Sequence, residues 1–238
     1  RPQPELSYRQ GEILLEGRSE TSLGKNVQSG FDGRILLGGL DLRLPDLNAT
    51  DRELSWQGKI GYADAKQPTV NLNGTLNNKA LSLTVPASRT LLTQETLTID
   101  TDGGLVLADR PGLTGKASVR AGVTRLHTGD AKQPLVSVKD FTTTGLEAPS
   151  GQTIKAQRTQ VQGIEVLVEG DLPLVVQVPE VDIAAVESRD WNTVGAGAVT
   201  VRNVRAVPRS GKGEIATLRQ LSVNRPKRAK DGQVTATT

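Results

Sequence analysis

Residues 40–44 of the chain read Leu-Asp-Leu-Arg-Leu, with an apolar side chain at every second position and a charged one between. Successive side chains of a β-strand point to opposite faces, so this pattern predicts a strand with one apolar and one polar face. Strands of this kind are typical of antiparallel sheets. The same period of two returns at Leu54 and Trp56, at Leu81, Leu83 and Val85, at Leu97 and Ile99, at Ile164, Val166 and Val168, and at Leu172, Leu174, Val176 and Val178.

Short turn signals separate the alternating runs, among them Gly38-Gly39, Asn77-Asn78 and Gly103-Gly104. Asn73-Gly74 is an exception, because the apolar residues on either side of it keep one phase; we expect the strand to continue there and to turn at 77–79. Helical periodicity is nearly absent, and the spacing of the runs predicts roughly 15 to 20 strands.

The sequence therefore predicts an all-β fold: an elongated, curled antiparallel sheet or groove, in effect an open sandwich, of repeated strand units with few or no helices. Alternation alone leaves two alternatives for the apolar faces, the dry core of a sandwich or a surface that meets a ligand.

A short internal sequence repeat suggests the domain organisation. The pentapeptide Asp-Ala-Lys-Gln-Pro occurs at 64–68 and again at 130–134. Repeated strand units of this kind build a sheet that grows along one axis. We expect lead-in strands over 1–29, a repeated β-domain over 30–225 divided into units of about 30–125 and 126–225, and a basic, polar tail over 226–238.

Composition excludes several kinds of chemistry. The 238 residues include no Cys, no Met and one His, with two residues each of Trp, Tyr and Phe. Disulfides, thiolate metal sites and cysteine nucleophiles are therefore impossible, and any histidine base would have to be His127. Six aromatic residues are too few for a platform that stacks nucleic-acid bases, and the net charge is only +3. We expect no nucleic-acid partner.

The acidic motifs do not point to catalysis or to a metal. Residues 100–104 read Asp-Thr-Asp-Gly-Gly and resemble the start of a calcium loop, but the twelfth position, where a Glu is required, is Pro111. A hairpin turn is the favoured interpretation of this stretch. We expect no catalytic residues, no cofactor and no metal, and hence no enzyme.

Three stretches resemble one family. Residues 39–47 read Gly-Leu-Asp-Leu-Arg-Leu-Pro-Asp-Leu, residues 54–60 read Leu-Ser-Trp-Gln-Gly-Lys-Ile, and residues 136–141 are followed by Gly-Leu-Glu at 145–147. Repeated strands of the type leucine, polar, leucine, closed by apolar, polar, tryptophan, polar, glycine, resemble bacterial AsmA-like proteins, a superfamily that includes TamB-like proteins and families of unknown function. The resemblance covers most of residues 30–225.

This resemblance implies a large protein of the bacterial envelope, anchored in the inner membrane, with most of its mass in the periplasm. It also implies a curved β-sheet whose apolar groove carries or shields phospholipid between the membranes or assists outer-membrane biogenesis. The chain departs from the whole family pattern in its shorter length and in having no N-terminal membrane helix. We therefore expect membrane association through flanking regions, and as partners phospholipid acyl chains and other segments of the same longer chain.

The expected function is thus that of a non-enzymatic periplasmic module that shields or passes acyl chains. The alternative is a structural or interaction β-domain, adhesin-like or scaffold-like, with a closed core and no lipid. The candidate groove face consists of Leu40, Leu42, Leu44, Leu54, Trp56, Leu81, Leu83, Val85, Leu97 and Ile99.

Overall fold

The computed structural model describes residues 7–9, 11–24, 26–64, 66–107, 112–129, 133–150, 153–189, 193–210, 213–228 and 234–237. These residues form sixteen β-strands and include no helix. The strands are β1 Ser7–Arg9, β2 Glu12–Leu23, β3 Val27–Arg43, β4 Asn48–Ala63, β5 Thr69–Val85, β6 Thr90–Val106, β7 Gly112–Ala121, β8 Thr124–Thr128, β9 Val136–Val138, β10 Asp140–Ser150, β11 Thr153–Val168, β12 Leu174–Arg189, β13 Thr193–Gly195, β14 Ala198–Pro208, β15 Ala216–Arg228 and β16 Val234–Thr237.

All sixteen strands belong to one antiparallel sheet in which the chain runs up and down between neighbours. At four positions two shorter strands lie end to end along one neighbour: β1 and β2 along β3, β7 and β8 along β6, β9 and β10 along β11, and β13 and β14 along β12. The sheet is therefore twelve strand positions wide, with β1 and β2 at one edge and β15 and β16 at the other.

The sheet is a single layer. Contacts between strands in the described part of the chain follow the hydrogen-bonded neighbours, so no second sheet packs on either face there. The accessible surface is 15625 Å², whereas a compact monomer of this mass exposes about 10,300 Å². These features confirm the predicted elongated, curled all-β sheet, and the curl follows from the twist that accumulates across adjacent strands.

Several turn predictions are wrong. The strand does continue through Asn73-Gly74, as expected, but it also continues through 77–79, because β5 extends to Val85. Gly38-Gly39 lies inside β3, and the stretch 100–104 with its Gly103-Gly104 pair lies inside β6. These residues interrupt the alternation without ending a strand.

The interruptions in neighbouring strands lie side by side, so they form a line that crosses the sheet near one end of the strands. We call this line the first crease. Strand pairing is broken along this line and resumes beyond it in the same register, as between Lys79↔Thr96 and Leu81↔Gln94. Four strand positions carry a left-handed residue on the line. These residues are Gly39 (φ 69°), Ala80 (φ 61°), Gly163 (φ 61°) and Asn203 (φ 57°).

A second line runs parallel to the first, nearer the other end of the strands, and we call it the second crease. In the first four strand positions it consists of directly paired glycines: Gly17 with Gly33, Gly33 with Gly58 and Gly58 with Gly74. A Cβ atom on Gly74 would lie 2.3 Å from the Gln57 carbonyl oxygen, so the backbones approach too closely for a side chain. In the later strands the same line passes through left-handed residues, namely Gly145, Ala185 and Arg225.

Candidate functional site

One face of the sheet is apolar from edge to edge, and we call it the apolar face. Between the two creases it is built from two rows of directly paired side chains, each row crossing the whole sheet. The first row is Leu15, Ile35, Trp56, Leu76, Ile99, Val119, Thr143, Thr159, Ile183, Val199 and Val223. The second is Ile13, Leu37, Leu54, Asn78, Leu97, Ala121, Phe141, Val161, Val181, Val201 and Leu221.

Beyond the first crease the apolar residues change phase in every strand. On β5, for instance, they occupy even positions up to Leu76 and odd positions from Leu81 onward. A third row beyond the crease is apolar throughout and again crosses the sheet. It consists of Leu42, Ala49, Leu83, Leu92, Leu126, Val136, Val166, Val176, Ala206 and Ala216.

The phase change keeps this third row on the same face as the other two. Asn78 belongs to the second row, whereas Asp51 is in phase with Ala49 of the third. The Asn78 amide nevertheless donates a hydrogen bond to the Asp51 carboxylate, so both side chains project from one face. A left-handed residue acts here as a β-bulge does, by directing a side chain to the opposite side of its strand.

The ten predicted groove residues divide into two groups on either side of the first crease. Leu54, Trp56, Leu97 and Ile99 lie in the first two rows, whereas Leu42 and Leu83 lie in the third. The remaining four are also beyond the crease. Leu40 is paired with Asp51, Leu81 and Val85 follow the phase of Leu83 on β5, and Leu44 lies just outside β3 and is exposed.

The candidate face extends well beyond these ten residues. Leu76 lies between the predicted residues Trp56 and Ile99 of the first row, and Val119 extends that row beyond Ile99. The rows continue through β11 to β15 by way of Val199 and Val201. The alternation of the later strands was visible in the sequence. Only the strand register shows that those strands prolong the same face.

The apolar face is partly open to solvent. In the described part of the chain no large side chain is less than 2% exposed, and the rows are most exposed at the edges, where Ile13 is 66% and Leu221 48% exposed. Trp56 lies on β4, the third strand position from the β2 edge, and is 8% exposed. Its indole lies over Gly74, whose missing Cβ would be 2.9 Å from the ring.

A small polar cluster interrupts the apolar face next to Trp56. Asp51 and Asn78 are both buried, and the Asp51 carboxylate also accepts a hydrogen bond of 2.8 Å from the Glu53 backbone N–H. Burial raises the pKa of the Asp51 carboxyl, while the hydrogen bonds from Glu53 and Asn78 oppose the rise. Asn78 Oδ1 and Trp56 Nε1 are buried and have no hydrogen-bond partner among the described residues.

The opposite face carries the charged side chains. Asp100 accepts a hydrogen bond of 2.7 Å from Thr75, and Asp102 accepts one of 3.1 Å from Asn73. The two carboxylates suspected of resembling a calcium loop are therefore paired across strands on this polar face. Farther along, Arg158 forms a two-pronged ion pair with Asp182 that lowers the pKa of the Asp182 carboxyl.

The described residues contain no group of three His, Cys, Asp or Glu side chains arranged to hold a metal ion. His127 is half-buried on β8 and pairs with Leu91 of β6. Residues 130–132, which begin the second copy of the repeated pentapeptide, lie outside the described residues. Nor does the described part contain a helix of the length and hydrophobicity needed to cross a bilayer.

Comparison with known proteins gives no match: no protein-family model matches the chain, and neither a curated protein nor a solved structure matches it significantly. The assignment of a class of protein therefore depends on the sheet itself, a single layer with one continuous apolar face.

Proposed function

We propose that this chain is a non-enzymatic periplasmic module of an AsmA-like envelope protein that shields or passes lipid acyl chains along its apolar face and so supports outer-membrane biogenesis. The observation that carries the proposal is the uncovered apolar face, which crosses all the long strands without a second layer in the described residues.

The chemistry of the face suits acyl chains. Its three rows consist mainly of Leu, Ile, Val and Ala, which offer contact area without directional demands. Each methylene group of a lipid that leaves water there contributes about 0.8 kcal/mol. Eleven steps of about 4.8 Å between strands make the face about 50 Å wide, which is long enough for an extended acyl chain to lie across several strands.

The alternative function, a structural or interaction domain with a closed core, requires something to cover the apolar face. Apolar patches of this extent are rare on monomeric soluble proteins unless they bind a partner or a membrane. Within the described residues no segment covers the face, so the lipid proposal is the better supported of the two.

The proposal is tested by placing a photoreactive amino acid at two adjacent positions. Ile99 projects from the apolar face, whereas its neighbour Thr98 projects from the polar face and donates a hydrogen bond of 2.9 Å to Asn77. The two variants are expressed in bacteria, irradiated in cells and analysed by mass spectrometry for attached phospholipid.

We expect phospholipid on the position-99 variant and little on the position-98 variant, together with phospholipid that copurifies with the wild-type chain in native mass spectrometry. Equal labelling at both positions, or no lipid in either experiment, would contradict the proposal.

A further inference from the structure

Strand β2 forms an edge of the sheet. Among the described residues it pairs with β3 alone, so along residues 13–23 its outward backbone N–H and C=O groups have no described strand beside them. Ile13 and Leu15 on this strand are 66% and 64% exposed. A long edge strand with exposed apolar residues is a ready template for another strand.

The two sides of β2 differ in chemistry. Its odd positions, including Ile13, Leu15 and Gly17, belong to the apolar face. Its even positions lie on the polar face, where Leu14 and Ser22 accompany the charged Glu12, Glu16, Arg18 and Glu20. A strand that joins this edge and keeps both faces continuous must therefore match odd with odd and even with even residues.

A second copy of β2 satisfies this condition by itself. A two-fold axis perpendicular to the sheet places two β2 strands antiparallel and leaves both apolar faces on the same side. Matching odd with odd residues requires one residue to pair with its own copy, with the two-fold axis midway between the two. Below, an axis through a residue means this arrangement. We infer that the chain forms a symmetric dimer in which β2 pairs with β2 of a second copy about an axis through Gly17.

The charges select this register. With the axis at Gly17, Glu16 of each copy lies opposite Arg18 of the other, and residues 13–21 pair with their counterparts. An axis through Glu16 or Arg18 would place two like charges directly opposite each other, which is unfavourable. An axis through Ser19 would face Arg18 with Glu20, but Glu20 is paired with Gly30 on β3, so the alternation of charges would end there.

The same register continues the charge alternation already present within one copy. On the polar face Arg18 is paired with Asp32, and Asp32 lies 3.7 Å from the Lys59 ammonium. Glu16 is paired with Arg34. The dimer therefore extends a row of alternating charges from Lys59 and Asp32 through Arg18 to Glu16 and Arg34 of the second copy.

The opposite edge does not offer an equivalent pairing. Strand β15 carries four basic residues and no acidic one, namely Arg219, Arg225, Lys227 and Arg228, so two β15 strands would repel each other. A β2 strand placed beside β15 with the apolar faces on one side would run parallel to it, unlike every pairing observed in this sheet.

The dimer would join two apolar faces into one surface twice as wide. It does not depend on lipid binding, because only β2 and its charges are needed. Its failure and the failure of the lipid proposal are therefore separate results.

The test uses charge reversal in the whole chain. Arg18→Glu and Glu16→Arg each place like charges opposite each other in a dimer of identical copies. In a heterodimer of the two variants, residue 16 of each copy faces an opposite charge at residue 18 of the other. Association is measured by analytical ultracentrifugation, and circular dichroism checks that each variant keeps its strand content.

We expect wild-type dimers, dissociation constants raised at least tenfold for each single variant, and recovery of wild-type affinity in the equimolar mixture. The double variant E16R/R18E should also dimerise as the wild type does. The inference is overturned by a monomeric wild type, by larger open-ended assemblies, or by single variants that dimerise normally. Rescue of Arg18→Glu by Glu20→Arg instead of Glu16→Arg would also overturn it, because that result indicates a different register.

Discussion

The carboxyl of Asp51 lies in surroundings that disfavour its charge. It is buried on the apolar face, its hydrogen bonds come from the Glu53 backbone and the Asn78 amide, and burial is the largest influence on its pKa. A buried carboxylate costs stability unless its partners compensate, so this residue and Asn78 form a costly interruption of a mainly apolar surface. Their hydrogen bond joins two strands across the phase change.

The pKa of Asp51 predicts a pH dependence of stability. Because the folded-state pKa is raised, the native chain holds more protons than the unfolded chain just above the ordinary pKa of Asp. The contribution of Asp51 to the free energy of unfolding therefore falls as the pH rises through that window. Asp51→Asn should lack this contribution because an amide does not titrate, so it should lose more stability than the wild type on acidification. The variant should still fold, because the Asn78 amide can rotate so that its Oδ1 accepts a hydrogen bond from the new amide. Urea unfolding from about pH 3 to about pH 7 measures the effect.

Asp182→Asn is the matched control, with the opposite sign. Arg158 lowers the pKa of the Asp182 carboxyl, so that ion pair stabilises the fold above the ordinary pKa and the contribution is lost as the pH falls. The control variant should therefore lose less stability on acidification than the wild type. If Asp51→Asn behaves like Asp182→Asn, the assignment for Asp51 is incorrect.

At the scale of a strand pair, the glycines of the second crease allow two backbones to approach more closely than side chains would permit. Gly58 has φ +140°, and a Cβ there would lie 2.3 Å from the Asn73 carbonyl oxygen and 2.5 Å from the Gly74 Cα. Neither atom belongs to a side chain that could move away. Strands β4 and β5 can approach this closely only where neither strand has a side chain.

Gly58→Ala should destabilise the chain by about 1–3 kcal/mol, through overpacking and an unfavourable backbone conformation. Gly170→Ala serves as its control, because nothing lies within 4 Å of a Cβ at that position, and it should change stability by less than about 0.5 kcal/mol. Urea denaturation of both variants gives the comparison. Equal stabilities for the two variants would show that the close approach at Gly58 relaxes at little cost.

The strands themselves could be predicted from sequence, but the lines that cross them could not. Alternation at Leu81 and Leu83 and at Leu97 and Ile99 correctly indicated strands of one amphipathic sheet. The change of phase between Leu76 and Leu81 was interpreted as a turn at 77–79, because a turn and a left-handed residue both interrupt a period of two. Only the register with the neighbouring strand distinguishes them, and a single sequence does not contain that register.

The whole molecule exposes more surface than a compact protein of its size. With about 36,700 Å² accessible in the unfolded chain, folding removes about 21,100 Å², against about 26,400 Å² for a typical compact monomer of this mass. The stability of the sheet therefore depends less on a dry core and more on the hydrogen-bonded ladder and the contacts between neighbouring side chains within each face.

This exposure predicts that the urea m-value and the heat-capacity change of unfolding are about a fifth lower than expected for 238 residues. Chemical denaturation and calorimetry measure the two quantities. Values typical of a compact protein of this length would indicate that the apolar face is covered in solution. Repeating both measurements over a range of protein concentrations separates cover by a second copy from cover within one chain.

The two creases also have a mechanical consequence. The first is a line of interrupted pairing across the long strands, and the second combines close glycine pairs from β2 to β5 with interrupted pairing from β7 to β15. The two lines divide the sheet into three panels. Within a panel the regular ladder resists bending, whereas at a crease fewer regular pairings oppose rotation. Bending should therefore concentrate at the two lines, with the panels moving as plates. The curvature of the apolar face would then change at these two lines without any strand leaving its neighbour.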